Sequence, residues 1–298
     1  MYPPPRQPGL IIHAILILTL ATVAIWSAWQ AFQAEVGLTL TLFILIAGAA
    51  FFPLPFLGYR AYALLHANYT LDRDTLTLHW GLRVEQIPIS DVEWVRPLPA
   101  LTSPLPLPWL RLPGSVLGVR RHADLRPVEF LAAESRTLLL VATRKRIFAI
   151  SPADPIAFVE NFQRVMEMGS LAPVTAHSTY PVFIIAQAWN SPLARYFWLV
   201  GLFLNIGLLV WVSLLVPTLS RVPLGFLPSG APQETVPAVR LILLPVVSIF
   251  FFITGWLAGL YFYRRPDQRV LAAVVWAGTA LTGLLFLLAV FFLVTTPA

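Results

Sequence analysis

The sequence predicts an α+β membrane protein: five transmembrane helices and about seven short antiparallel strands, closed by a C-terminal capping helix into a small barrel or sandwich. Long apolar runs toward both ends of the chain point to the helices, and about a hundred central residues that alternate with period two point to the strands. Hydrophobic residues make up 58% of the chain and charged residues only 11%, against roughly 25% charged in a soluble domain. The bilayer must therefore hold much of it.

The apolar runs are residues 10–32, 37–58, 196–216, 239–263 and 270–294, each near or above the ~20 residues that cross ~30 Å of hydrocarbon. Apart from Arg240, the second residue of the fourth run, they hold no Asp, Glu, Lys or Arg, a pattern that suits anchoring and packing better than ion conduction. His13 lies near the start of the first run, at a depth where a side chain reaches the interface. That run is too long for the apolar core of a signal peptide and is expected to be retained. Pro53, Pro55 and Pro245 are expected to bend their helices. Trp26, Trp29, Trp198, Trp211 and Tyr263 lie toward run ends, as rings at headgroup depth do.

With five spans, the central domain shares a side with the N-terminus. Arg6, Arg60, Arg195, Arg264, Arg265 and Arg269 lie near the membrane on that side and Arg221 and Arg240 on the other, which places the domain in the cytoplasm by the positive-inside rule. Of the net charge of +6, only +1 comes from residues 67–168. The basic balance thus reports topology, and no nucleic-acid partner is expected.

Asn68–Leu71 and Thr75–Trp80 alternate around an Asp72–Asp74 turn, and VEQIPI and Asp91–Pro97 extend the meander. Prolines between Pro97 and Pro113 exclude a central strand there, so the segment reads as a loop laid on the membrane through Leu105, Leu107, Trp109 and Leu110. Strands resume at Val116–Arg120 and Val128–Ala132, and Thr137–Thr143 pairs with Arg146–Ile150 as a hairpin. A helix follows, with Ser151 or Asp154 as N-cap, Pro155 in the first turn and Gly169 as its stop. The organisation is a helical hairpin over 1–66, the domain over 67–169, a linker over 170–194 whose Val182–Trp189 segment is too short to cross, and a three-helix region over 195–298.

Chemistry-bearing constellations are missing from the sequence. There is no cysteine, the histidines are scattered, and no phosphate-binding loop or nucleophile elbow occurs. Asp72 and Asp74 read as turn residues. The expectation is a non-enzyme with no catalytic residue, metal or cofactor.

The element order resembles the pleckstrin-homology-like fold, and the residues resemble the bacterial PH-domain membrane proteins more closely. The resemblance is carried by YTLDRDTLTLHWG (69–81), IPISDVEWV (87–95), the LPG loop (112–114) and above all AISPADPIAF (149–158), where such proteins pass from their last strand into the helix. It implies a multi-pass protein of the bacterial inner membrane, with its N-terminus and PH-like domain cytoplasmic, presenting that domain as a binding or scaffolding module for a protein partner not identified by the sequence. VPLGFLPSGAP (222–232) resembles a loop of membrane proteins that include peptide-toxin immunity proteins, with Gly225 where they carry histidine. This supports an alternative in which transport, sensing or immunity resides in that loop and the helices, with Asn205 as the polar candidate.

A second alternative is a domain that reads anionic lipid headgroups. Its candidate contacts are Arg111, Arg120, Arg121 and Arg126 in and after the proline-rich loop, and Arg144, Lys145 and Arg146 at a hairpin tip. Each cation near an anionic leaflet contributes on the order of 1 kcal/mol, and Asp124 and Glu129 dilute the first group.

Overall fold

A computed structural model describes residues 1–98, 105–108, 111–121, 125–169, 174–179, 184–223 and 235–295. In chain order its elements are α1 (Gln7–Gln33), α2 (Leu38–Phe51), α3 (Leu54–Leu65), β1 (Asn68–Leu71), β2 (Thr75–Trp80), β3 (Arg83–Pro88), β4 (Val92–Pro97), β5 (Val116–Arg120), β6 (Val128–Ala132), β7 (Leu139–Thr143), β8 (Ile147–Ile150), α4 (Pro155–Met168), β9 (His177–Thr179), α5 (Ile184–Trp189), α6 (Pro192–Leu215), β10 (Arg221–Pro223), β11 (Thr235–Pro237), α7 (Leu243–Tyr263) and α8 (Arg269–Thr295). They form two compact units, Met1–Thr22 with Ala50–Pro181 and Val23–Ala49 with Val182–Ala298.

The expected fold needs correction in the first unit. Its strands form neither a closed barrel nor one seven-stranded antiparallel sandwich: there is a four-stranded sheet in the order β1-β2-β3-β9 and a five-stranded sheet in the order β4-β7-β8-β6-β5. The first gains β9 from the linker, paired antiparallel to β3. The second holds a parallel pair, β6 with β8, because the β7–β8 hairpin inserts β8 beside β6 instead of leaving β7 there. Every residue of β6, β7 and β8 is buried. Strands covered on both faces lose the alternation that reveals neighbours in sequence.

One face of the second sheet, through Leu131, Leu139, Val141, Phe148 and Ile150, shares a core with Leu76, Leu78 and Trp80 of the first sheet and with Phe158, Phe162 and Val165 of α4. The other face carries Phe130, Leu140 and Ala149, and Leu105 and Leu107 of the proline-rich segment cover it. Those leucines therefore cap a sheet. Trp109 and Leu110 fall outside the described residues.

Helix α4 begins as its sequence specifies. The Asp154 carboxylate accepts a bond from the Ala157 amide at 2.9 Å, Pro155 sits in the first turn, and Gly169 ends the helix at φ 69°. Tyr69 is fully buried, donates to the Leu131 carbonyl at 2.6 Å and so fastens β1 to β6 across the core. Burial pushes its hydroxyl above the ordinary phenol range, which keeps it a neutral donor.

Five helical stretches are long and apolar enough to cross a membrane: Gln7–Gln33, Leu38–Leu65, Pro192–Thr218, Ala238–Tyr263 and Pro266–Thr295. The second is α2 and α3 with a two-residue break at Phe52 and Pro53. It continues past Gly58, so Arg60 lies inside it, buried, with its guanidinium 4.4 Å from the Phe56 ring. His13 does not reach water as expected; it is fully buried with Nδ1 2.7 Å from the Gly9 carbonyl. Pro245 falls in the first turn of α7, where its missing N–H breaks no helical bond.

In the second unit, α7 and α8 approach through Gly255 and Gly259. A Cβ on Gly255 would lie 1.9 Å from Thr279 Cγ2, and one on Gly259 2.1 Å from Trp276 Nε1. Small residues four apart allow such contact, and apolar helices in lipid associate by close packing of this kind. Trp198, near the start of its span, is buried, with its ring 5.4 Å from Trp256 and 5.3 Å from Trp276. The short α5 packs on this cluster through the buried Ala188, so residues 184–189 cover the bundle; Val182 and Phe183 fall outside the described residues.

Two substitutions test these contacts by thermal denaturation of the full chain in mild detergent. Gly259→Ala should destabilise by about 1–3 kcal/mol, because Trp276 must leave its place. Tyr69→Phe should cost about 1–2 kcal/mol by removing a buried donor, and an unchanged midpoint would show that its bond to Leu131 carries no weight.

Candidate functional site

The seven cations expected at a membrane surface separate into two groups. Arg126 donates to Glu93 at 2.8 Å and also to the Thr143 carbonyl, bridging β4 and β7. Arg146 pairs with the buried Glu129 at 2.8 Å, and Arg144 lies 4.0 Å from Asp91. Arg111, Arg120, Arg121 and Lys145 form no ion pair or hydrogen bond among the described residues. Arg120 ends β5, Arg121 follows it, Lys145 tips the β7–β8 hairpin, and Arg111 opens the turn before β5.

Arg146 belongs to a network that composition alone does not reveal. Arg83 on β3 donates to Glu85 at 2.6 Å and to Glu129 on β6 at 2.8 Å, Arg146 takes the other oxygen of Glu129, and the Ser178 hydroxyl of β9 donates to Glu85 at 2.6 Å. The Arg83, Glu85 and Glu129 side chains are 6–11% exposed. Two arginines thus neutralise two glutamates between the sheets, and this pairing reconciles buried charge with the low-dielectric interior. The alternation TLTLHW/RVEQIP located β2 and β3, but nothing in it marked Arg83 or Glu85 as partners of Glu129.

Arg111 lines a cleft of about 500 Å³, with Pro8 and Gly9 at the start of α1, Gly114 in the turn before β5, and Glu134 and Arg136 between β6 and β7. The turn closes through Ser115 N–H to the Leu112 carbonyl at 2.8 Å, and Gly114 donates to the Ala133 carbonyl at 2.8 Å. Gly114 stands at φ 84°, and a Cβ on it would lie 2.5 Å from Gly9 Cα. Glycine is therefore required on both walls. A Cβ at either position would also lie 2.7 Å from Leu64 Cδ2, near the end of α3. Arg111 and Arg136 are both exposed, while Glu134 accepts from the Thr137 hydroxyl. The sequence reading named Arg111 and missed Arg136, which stands 25 residues further on with no motif around it.

The membrane helices offer less chemistry. Asn205 donates to the Gly201 carbonyl at 2.8 Å and accepts from Ser248 of α7 at 2.8 Å, so its amide joins two helices. Residues 222–223 begin the loop with β10, which pairs with β11, whereas 224–234, including Gly225, lie outside the described residues. Among the described residues, no group of three or more His, Cys, Asp or Glu is placed to hold a metal ion.

Removing Glu129 leaves Arg83 and Arg146 without that shared acid in a covered site, where breaking a buried pair costs about 3–5 kcal/mol. Glu129→Ala should therefore lower the thermal midpoint far more than Glu93→Ala, whose exposed pair contributes about 0–1 kcal/mol.

Residues 67–166 match the protein family described as Bacterial PH domain. No curated protein and no solved structure matches the chain. With that domain set among five helices apolar enough to cross a membrane, the chain is a membrane-associated protein carrying a bacterial PH domain.

Proposed function

We propose that the protein is a non-enzymatic, multi-pass protein of the bacterial inner membrane that presents its PH domain in the cytoplasm as a binding or scaffolding module. The observation that carries this reading is the position of a bacterial PH domain between the second and third of five candidate spans. The helices supply anchoring, so the domain is free to offer its surface to something else. With Arg60 inside a span, Arg6, Arg195, Arg264, Arg265 and Arg269 on the domain's side against Arg221 and Arg240 on the other still support the cytoplasmic side.

The surface offered includes the edge strand β5, where Val119 is 57% exposed, with Arg120 and Arg121 beyond it. An edge of this kind accepts an extended segment or a flat polar face. The alternative of a transport or immunity function in the helices loses support from Asn205, whose amide is used in helix packing. The lipid-reading alternative gains support from the cleft at Arg111 and Arg136.

The chain has no cysteine, so Val119→Cys creates a single thiol. A membrane-impermeant maleimide should label it only after the inner membrane is opened; labelling in intact spheroplasts would place the domain outside. A photo-crosslinker at the same position should give a discrete protein adduct in living cells. Adducts to lipid alone would favour headgroup reading, and none would return the function to the helices.

A further inference from the structure

We propose that β9 is a self-occupying latch: it fills the edge of β3 at which the PH domain takes an extended segment of a partner protein, one that sets a serine or threonine opposite Glu85. The inference rests on the reading of the chain as a binding module, and names the edge, the ligand chemistry and the contact that holds the edge closed. β9 lies beyond residues 67–166 of the family match and enters the sheet from the linker.

Loose attachment supports it first. β9 pairs with β3 through three residues, Val84 with Thr179, Glu85 with Ser178 and Gln86 with His177, about half the length of an ordinary strand. All three of its residues are exposed and none joins the core, so its release uncovers no core residue of its own. Segments held by exposed backbone bonds and few buried apolar contacts open at the low end of a protein's stability. On its other side β3 pairs with β2 over six residues, and β2 buries Leu76, Leu78 and Trp80. β3 therefore keeps its place when β9 leaves.

Charge supports it second and selects the ligand. The Ser178 hydroxyl donates to the buried Glu85 at 2.6 Å. Glu85 also accepts from Arg83 at 2.6 Å, so the carboxylate stays paired when Ser178 withdraws, and release avoids the cost of stripping a buried charge. Arg83 and Arg146 both reach Glu129 at 2.8 Å, which leaves two cations facing two anions. A neutral hydroxyl adds a donor without upsetting that balance. An acid in its place would meet the charge of Glu85, and a cation would leave the covered cluster with an excess.

The edge itself supports it third. A strand edge offers a row of N–H and C=O groups that pairs with an extended segment of any chain. Tyr2 lies against the opposite edge of this sheet, at β1. His177 stands eight positions after Gly169, the end of α4, and so short a tether holds β9 near β3 at an effective concentration on the order of millimolar. A partner meets the edge only in the released fraction, which lowers its apparent affinity by that fraction.

Fluorescence anisotropy with a labelled peptide copy of residues 174–179, VTAHST, tests the edge on the full chain in mild detergent. Ser178→Ala removes a hydrogen bond to a charged group and should speed amide exchange at residues 177–179 on the order of tenfold, with β2 unchanged. The same variant should bind the peptide on the order of tenfold more tightly than the wild type does. Ser178→Thr should behave as the wild type, and a peptide carrying Ser178→Asp should not bind. Equal exchange in wild type and Ser178→Ala overturns the latch. Faster exchange with no gain in peptide binding overturns the edge as a docking site, and equal binding of the serine and aspartate peptides overturns the hydroxyl as the recognised group. Should the peptide fail while the crosslinker at Val119 still captures a discrete protein, the β3 edge is excluded and the binding module stands.

Discussion

The β domain cannot close its core without the ends of the membrane helices, and most of its architecture follows from that constraint. Ala63 and Leu64 of α3 are fully buried in the same cluster as Leu76, Leu78, Val141 and Phe158, and Leu10 of α1 packs against it. Only His66 and Ala67 separate α3 from β1. The span therefore delivers the first strand in a fixed direction, and backbone freedom is lost at once. Gly81, at φ 62°, lets the β2–β3 turn lie against Ala63, where a Cβ would come within 2.8 Å of that residue's own. The N-terminus is bound as closely: Tyr2 exchanges backbone bonds with Tyr69 at 2.7 and 3.2 Å, its ring meets Phe158 edge-on at 5.2 Å, and the Pro3 carbonyl accepts from Ala153. Residues outside the family match thus complete the domain.

The two sheets present a second requirement. Open edges and a covered interior leave polar groups that must be satisfied. Tyr2 lies against β1, and β9 covers the free edge of β3. Inside, the Arg83–Glu129 pair spans the sheets, and Ser178 ties β9 to the same network through Glu85. β9 is three exposed residues long, so strand pairing alone would hold it weakly. Its register is fixed by a side chain that reaches a buried carboxylate.

What the sequence made legible follows from the range of the interactions involved. The spans, the hairpin turn at Asp72–Asp74 and the Asp154–Pro155 start of α4 depend on neighbours a few residues apart, and all were readable. The insertion of β8 between β7 and β6 depends on which of several wholly buried strands lie side by side, and VEFLA, LLVAT and IFAI do not distinguish partners by pattern. β9 was hidden for a different reason: three polar residues inside a linker show no alternation worth reading. The burial of Trp198 and Leu105 within the protein was not legible because a large apolar side chain near a membrane satisfies the same composition rule whether it meets lipid or protein.

The candidate site shows why a count of cations could not find it. The domain is almost neutral, and near-neutrality suggests weak recognition of any charged ligand. Yet neutrality here is an average over two populations that the fold separates. Arg83, Arg126 and Arg146 spend their charge on acids of neighbouring strands, where they substitute for solvent in holding the sheets together. Arg111 and Arg136, far apart in sequence, are brought to one cleft by a glycine turn that only fits because α1 carries a glycine opposite. The charges left to face the outside are those the core did not need, and their placement is set by the contact between a membrane helix and a loop.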